Sequence, residues 1–269
     1  MNFKPLQNGL CDGFVLIKKC EVKKTKNGSS YLDLVIGDKD GEMPAKYWDF
    51  NGVDLFEEES VVKVRGAVEQ YNGRDQFRIQ QIRPAAETDQ YNLSDLVPSS
   101  AVGGRQIYDM MMKKVSAFQD QDLKALVTDI MESKKEILVT SPAAFRLHHA
   151  MVGGLMLHTM SIVCMAEQIC KIYPNINREL LLSGAILHDV AKTWEFTFSK
   201  TGLVKGYSEG GELIGHLVEG AMWVDSAAKR LGVPQEKAQL VEHMILSHHG
   251  VPEFGSPVRP MFVEAQILS

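Results

Sequence analysis

Leu180–Lys192 reads LLLSGAILHDVAK, an apolar run at helical spacing that closes on adjacent His188 and Asp189. Burying an unpaired carboxylate beside such a run is strongly unfavourable, so Asp189 needs a compensating partner, and a metal ion is one. An isolated His-Asp pair here would read as a solvated helix end. This pair has company: His158 lies in the apolar stretch LMLHTMSIVC, His216 in GELIGHLVEG, and His248 and His249 close MILSHHG. Any one of these imidazoles alone is more often a satisfied core residue. One on each of four successive helices, with Asp189 among them, is how helical bundles build metal sites from facing side chains.

Working outward, all eight histidines fall after residue 140, which separates a part rich in imidazole from a part without it. The helical period begins near residue 105: Ile107, Met110, Met111 and Val115 recur at three-to-four spacing, as do Leu123, Leu126, Val127 and Ile130. Further helices are expected over 154–173, 178–192, 212–231 and 235–247. Before residue 86 the pattern is of strands: 14–22, 30–37, 42–48, 61–71 and 76–83 are short β-branched or aromatic segments. Lys26-Asn27-Gly28, Asp38-Lys39-Asp40-Gly41 and Asn72-Gly73 divide them. The expectation is a multidomain α+β chain: a five-stranded barrel over 1–85, a polar linker over 86–104, and an all-α bundle over 105–269.

The 269 residues suit two units with separate cores, and 45% hydrophobic against 23% charged content places the chain among globular rather than disordered proteins. No apolar run approaches the roughly 18 residues of a membrane span, and Met1–Leu10 lacks a basic and apolar leader. A cytoplasmic chain with no membrane partner is expected. Cys11, Cys20, Cys164 and Cys170 show no Cys-x-x-Cys spacing and read as reduced thiols. The net charge of −5 argues against a broad basic face for duplex DNA, so any nucleic-acid contact must be local.

In its motifs the chain resembles the HD superfamily of metal-dependent phosphohydrolases, in particular its multi-histidine, bimetallic branch. HHAMVGGLMLHT at 148–159, GAILHDVAK at 184–192 and ILSHHGVPEFGSPVRP at 245–260 are similar to the YhaM family of bacterial 3′-to-5′ exoribonucleases, and the first ninety residues resemble that family's OB domain. The resemblance implies that His158, His188 and Asp189 hold one divalent metal, and that Asp189 bridges to a second held by His216 and His248, with His249 as a further ligand. It makes Asp189 and Lys192 the catalytic pair, the lysine meeting a substrate phosphate as a point charge. Arg146 and His149 would contact substrate or be structural, and His243 would support the ligands. The superfamily pattern closes with an Asp on a final helix, whereas this sequence stops at Ala265–Ser269. Either the final helix is truncated or that ligand is lost, with weak metal binding and low activity as the expected consequence.

Imidazole and carboxylate ligands suit Mn²⁺, the expected ion, with Fe²⁺ and Co²⁺ as alternatives and one or two ions bound. Two cations can clamp phosphodiester oxygens and lower the pKa of a bound water. An OB barrel binds single strands by stacking bases on aromatics while basic residues follow the backbone. Lys18, Lys19, Lys23, Lys24 and Lys26 form a local positive patch, and alternation puts Tyr31 on the face opposite Leu32 and Leu34. Trp48 either joins Tyr31 in binding or fills the core. Single-stranded RNA or DNA is the expected partner, self-association through the helices a further one. Two other readings fit the same residues: a phosphohydrolase of small nucleotides, which leaves the barrel without a role, and a non-catalytic single-strand-binding adaptor.

Overall fold

A computed structural model describes residues 3–5, 9–52, 55–86, 88–92, 95–97, 102–143, 151–199 and 202–269. The chain divides into two compact units, one of Met1–Ser99 with Phe198–Lys205, the other of Ser100–Thr197 with Gly206–Ser269.

The first unit is a closed barrel. After a short strand β1 (Lys4–Pro5), five strands carry it: β2 (Cys11–Lys24), β3 (Ser30–Asp38), β4 (Gly41–Tyr47), β5 (Val61–Tyr71) and β6 (Arg74–Pro84). Closure follows from the length of β2. Its first half, Cys11–Leu16, pairs with β5, while Leu16–Lys24 pairs with β3 across a bulge between Ile17 and Lys19. β4 lies parallel to β6, and β5 returns antiparallel to β6, which completes the ring. Alternation fills the interior: Leu32, Leu34 and Ile36 point inward from β3 and pack with Val15, Val62, Val64, Phe77 and Ile79. At Gly66, beside a second bulge, a Cβ would stand 2.0 Å from the Arg78 carbonyl oxygen, so only glycine lets β5 and β6 approach there. Asn72 and Gly73 both have positive φ, 51° and 74°, the hairpin geometry their sequence promised.

Part of the stretch read as a linker is tied to this barrel. Asp89 takes both guanidinium nitrogens of Arg83 at 2.6 and 2.8 Å, Tyr91 stacks on Phe14 at 4.9 Å, and Leu96 and Val97 are buried.

The second unit is helical: α1 (Gly104–Ser116), α2 (Gln121–Ser133), α3 (Lys135–Leu138), α4 (Gly154–Ile172), α5 (Arg178–Leu187), α6 (Lys192–Glu195), α7 (Glu209–Leu213), α8 (Gly215–Leu231), α9 (Gln235–Ser247) and α10 (Val263–Leu268). Asp120 and Asn177 cap α2 and α5 by accepting from backbone N–H groups of the first turn. Every residue from Leu180 to Leu187 is buried, because α5 runs through the middle of the unit against α2, α4, α9 and α10. The helix α4 meets the length and apolarity of a membrane span by composition, yet Leu155, Met156, Met160 and Val163 belong to this core.

Two expectations are corrected here. The segment 178–192 is not one helix: α5 ends at Leu187, and a turn over His188–Ala191 leads into α6. Nor is the region purely α. A hairpin of β7 (Phe196–Phe198) and β8 (Val204–Tyr207) interrupts it, because aromatic and β-branched residues here flank a Gly-containing turn and are too few for a helical period.

Candidate metal centre and nucleic-acid face

The end of α5 places the centre. The helix runs out at Leu187, and the turn that follows keeps His188 and Asp189 buried, 4% and 2% exposed, instead of releasing them to solvent. The His188 ring is fixed by its Nδ1 at 2.9 Å from the Ala185 carbonyl, which makes Nδ1 the protonated nitrogen and leaves a lone pair on Nε2. His248, at the end of α9, is held in the same way by the Ile245 carbonyl at 2.8 Å, and His249 by the Phe254 carbonyl at 2.8 Å. Three imidazoles are thus set by main-chain carbonyls to present Nε2.

Four imidazole nitrogens, from His158, His188, His216 and His248, converge on one carboxylate. Asp189 Oδ2 lies 3.2 Å from His188 Nε2 and 3.5 Å from His158 Nε2, and the two imidazole nitrogens are 3.2 Å apart. The other oxygen, Oδ1, lies 3.4 Å from His216 Nε2 and 3.5 Å from His248 Nε2. Two donor groups result, His158 with His188 and Asp189, and His216 with His248 and His249. Asp189 has one oxygen toward each.

The residues fit a cation. Donors sharing an ion at about 2.0–2.2 Å stand about 3 to 3.5 Å apart, the spacing found in the first group. Asp189 Oδ1 and His216 Nε2 are buried without a hydrogen-bond partner, an arrangement that a bound ion would resolve. Burial alone would raise the Asp189 carboxyl, but the facing His188 and Lys192 hold it well below the usual carboxylate range. Burial likewise pushes the His248 imidazole down to about 4, against the pull of Asp189, so it is neutral and able to ligate near pH 7. Lys192 Nζ stands 2.8 Å from Asp189 Oδ2 with part of its side chain exposed.

Two of the other expected residues, Arg146 and His149, lie outside the described residues. His243 is not in either donor group: its Nε2 accepts from Met261 N–H at 3.0 Å and its ring lies against Phe262, so it fastens the chain ahead of α10. Sequence reasoning passed over Glu195. Its Oε1 accepts from both the backbone N–H and the Nδ1–H of His216, at 3.0 and 2.8 Å. Periodicity could not reveal it, since the two residues meet only because the hairpin doubles the chain back. The sole hint was a Glu set between Trp194 and Phe196 in the aromatic-rich segment AKTWEFTF.

On the barrel, Tyr31 stacks on Trp48 at 4.5 Å, with Lys46 Nζ 5.4 Å from the Tyr31 ring centroid, while Trp48 keeps 44% of its surface exposed. Asp33 pairs with both Lys23 and Lys46. The lysine cluster divides. Lys18 faces Glu59 at 3.1 Å and Lys19 faces Glu21 at 2.6 Å, so these charges, with Lys23, are locally countered. Lys24 and Lys26 are exposed and, among the described residues, in no ion pair.

Comparison with known proteins agrees with this geometry. The HD domain model matches residues 156–269, which contain both donor groups, and a helicase family model matches residues 100–192. The 3′-5′ exoribonuclease YhaM of Bacillus pumilus is 33% identical over 96% of this chain and 82% of its own length. The chain belongs to the YhaM exoribonuclease family. The Bacillus subtilis member is 32% identical over the same shares of the two chains. Among solved structures, a replication protein A heterotrimer bound to single-stranded DNA matches 29% of this chain at 14% identity and a TM-score of 0.25, too distant to bear on the reading. The closed barrel itself rests on the strand register above.

Proposed function

We propose that this chain is a metal-dependent 3′-to-5′ exoribonuclease that releases nucleoside 5′-monophosphates from single-stranded RNA, and that single-stranded DNA is a second substrate. The observation that carries this reading is the Asp189 carboxylate, buried and turned with one oxygen toward each of two histidine groups. His158, His188 and Asp189 would hold one divalent ion, and Asp189, His216, His248 and His249 the other. Mn²⁺ suits the mixed nitrogen and oxygen donors, with Fe²⁺ and Co²⁺ as alternatives. Bound there, such ions supply a water of lowered pKa and a clamp for the phosphate oxygens. Lys192 shares its ammonium between Asp189 and an approaching phosphate oxygen, which favours charge developing on the phosphoryl group. The carbonyls of Ala185, Ile245 and Phe254 keep three imidazoles in one tautomer and orientation, so that no reorganisation is needed during the reaction.

The barrel supplies the hold on the strand. The exposed face of Trp48, backed by Tyr31, accepts a base whatever its identity, while Lys24 and Lys26 follow the backbone. A 5′-labelled single-stranded RNA incubated with Mn²⁺ tests the reading. Shortening from the 3′ end that EDTA stops is the expected result. An intact RNA in the presence of the metal-loaded protein would refute it, and turnover of a cyclic dinucleotide or nucleoside triphosphate instead would move the assignment to small nucleotides.

A further inference from the structure

We infer that Glu195 is a positioning residue for His216, and that its carboxylate gives this imidazole of the metal centre a charged support behind the ring. The inference rests on the metal site proposed above and concerns a residue outside its ligand set.

Glu195 is 6% exposed, and among the described residues its carboxylate is paired with no lysine or arginine. A carboxylate removed from water needs a cation or several donors in compensation. The donors here are both from His216, the backbone N–H at 3.0 Å and Nδ1–H at 2.8 Å. On the far side of that ring, Nε2 is buried without a hydrogen-bond partner and faces Asp189 Oδ1 at 3.4 Å. Glu195, His216 and Asp189 therefore form a line with a carboxylate at each end and an imidazole between. That order places negative charge behind the ring and raises its strength as a donor toward a cation at Nε2. His188, His248 and His249 are oriented by neutral carbonyls instead.

The fold holds Glu195 in place from behind. Its carbonyl accepts from Ser208 N–H at 2.8 Å, and at Gly211 on α7 a Cβ would lie 2.2 Å from that same carbonyl oxygen, so α7 rests directly on the Glu195 backbone. A purely structural role is the alternative, because α8 has no side-chain cap from Ile214 and Glu195 could serve as its cap.

The test uses metal-stripped full chain titrated with Mn²⁺, the free ion counted by its electron paramagnetic resonance signal. Melting temperatures of the metal-free proteins are recorded alongside. Glu195→Gln retains an oxygen able to accept both hydrogen bonds but no charge, and is expected to weaken one class of Mn²⁺ site about tenfold with little change in metal-free melting. Glu195→Ala also frees the ring and should reach the upper part of the roughly 10–100-fold range of such partners. The Nδ1–H proton resonance of His216 should persist in the Gln variant and vanish in the Ala variant. Asp120→Ala, which removes the cap of α2 and so loosens the helical unit away from the centre, should leave Mn²⁺ affinity unchanged. If Glu195→Gln binds Mn²⁺ like the parent, or Asp120→Ala weakens it equally, the inference is wrong. His216→Ala separates the two levels: if it too binds the full complement of Mn²⁺ normally, the metal site itself is wrong, whereas loss in His216→Ala alone overturns only the role of Glu195.

Discussion

Asp189→Asn is the most informative single change, because it removes one charge and almost no volume from a point facing four imidazole nitrogens. Those nitrogens lie 3.2, 3.5, 3.4 and 3.5 Å from its oxygens. At about 3.5 Å and an effective dielectric of about 20, a unit charge interacts with a second by about 5 kcal/mol. Relief of the carboxylate's burial offsets part of this; retaining half as a net loss corresponds to a weakening of nearly two orders of magnitude per unit of ion charge. Mn²⁺ affinity should therefore fall at least about a hundredfold in both donor groups at once, and RNA turnover at moderate Mn²⁺ should collapse with it. Calorimetric titration of the metal-stripped protein measures the first, and decay of a 5′-labelled RNA the second. An Asn variant that binds Mn²⁺ within a factor of about three of the parent and degrades RNA at the parent rate would refute the shared-carboxylate site.

Trp48→Ala should weaken single-stranded RNA binding by about 1–3 kcal/mol per stacked base, read by fluorescence anisotropy, with Mn²⁺ binding unchanged. An unchanged RNA affinity would remove the Tyr31 and Trp48 face from the interface. Gly211→Ala drives a methyl into the Glu195 carbonyl, 2.2 Å away, and should cost about 1–3 kcal/mol in urea unfolding while lowering Mn²⁺ affinity. The Glu167 carboxyl, which burial alone would raise, is held below the usual range by hydrogen bonds and charge from Lys114 and Arg178, at 2.7 Å each. A depressed folded pKa adds stability above the unfolded value that is lost as pH falls through the folded one. The stability gap between the parent and Glu167→Gln should therefore be full at pH 7 and close as pH drops below the ordinary carboxylate range; a gap that widened on acidification would contradict the sign.

Much of this architecture was legible because periodicity is a local property. The strand expected over 61–71 and the helix over 235–247 coincide with β5 and α9. The Asn72-Gly73 turn follows from the tolerance of these two residues for positive φ. The histidine clusters were legible for a related reason: imidazoles in apolar helical runs have few ways to be buried without a partner. Where signals were brief, the reading failed. The hairpin of β7 and β8 offers only a few residues of alternation, and the turn at His188–Ala191 is invisible in a sequence that continues to favour helix. The lysine cluster shows a further limit. Composition placed five positive charges together, but Glu59, from the turn before β5, and Asp33, on β3, counter part of them.

The sequence by itself determined most of the longer elements, the order of barrel and helices, and the residue types available for a metal, since each depends on neighbours a few positions apart. Tertiary structure alone decided which oxygen of Asp189 meets which histidine, that His243 serves Met261 rather than the metal centre, and that Glu195 stands behind His216. Those relations depend on how distant segments cross, and crossing is set by packing of the buried faces, which no local pattern records.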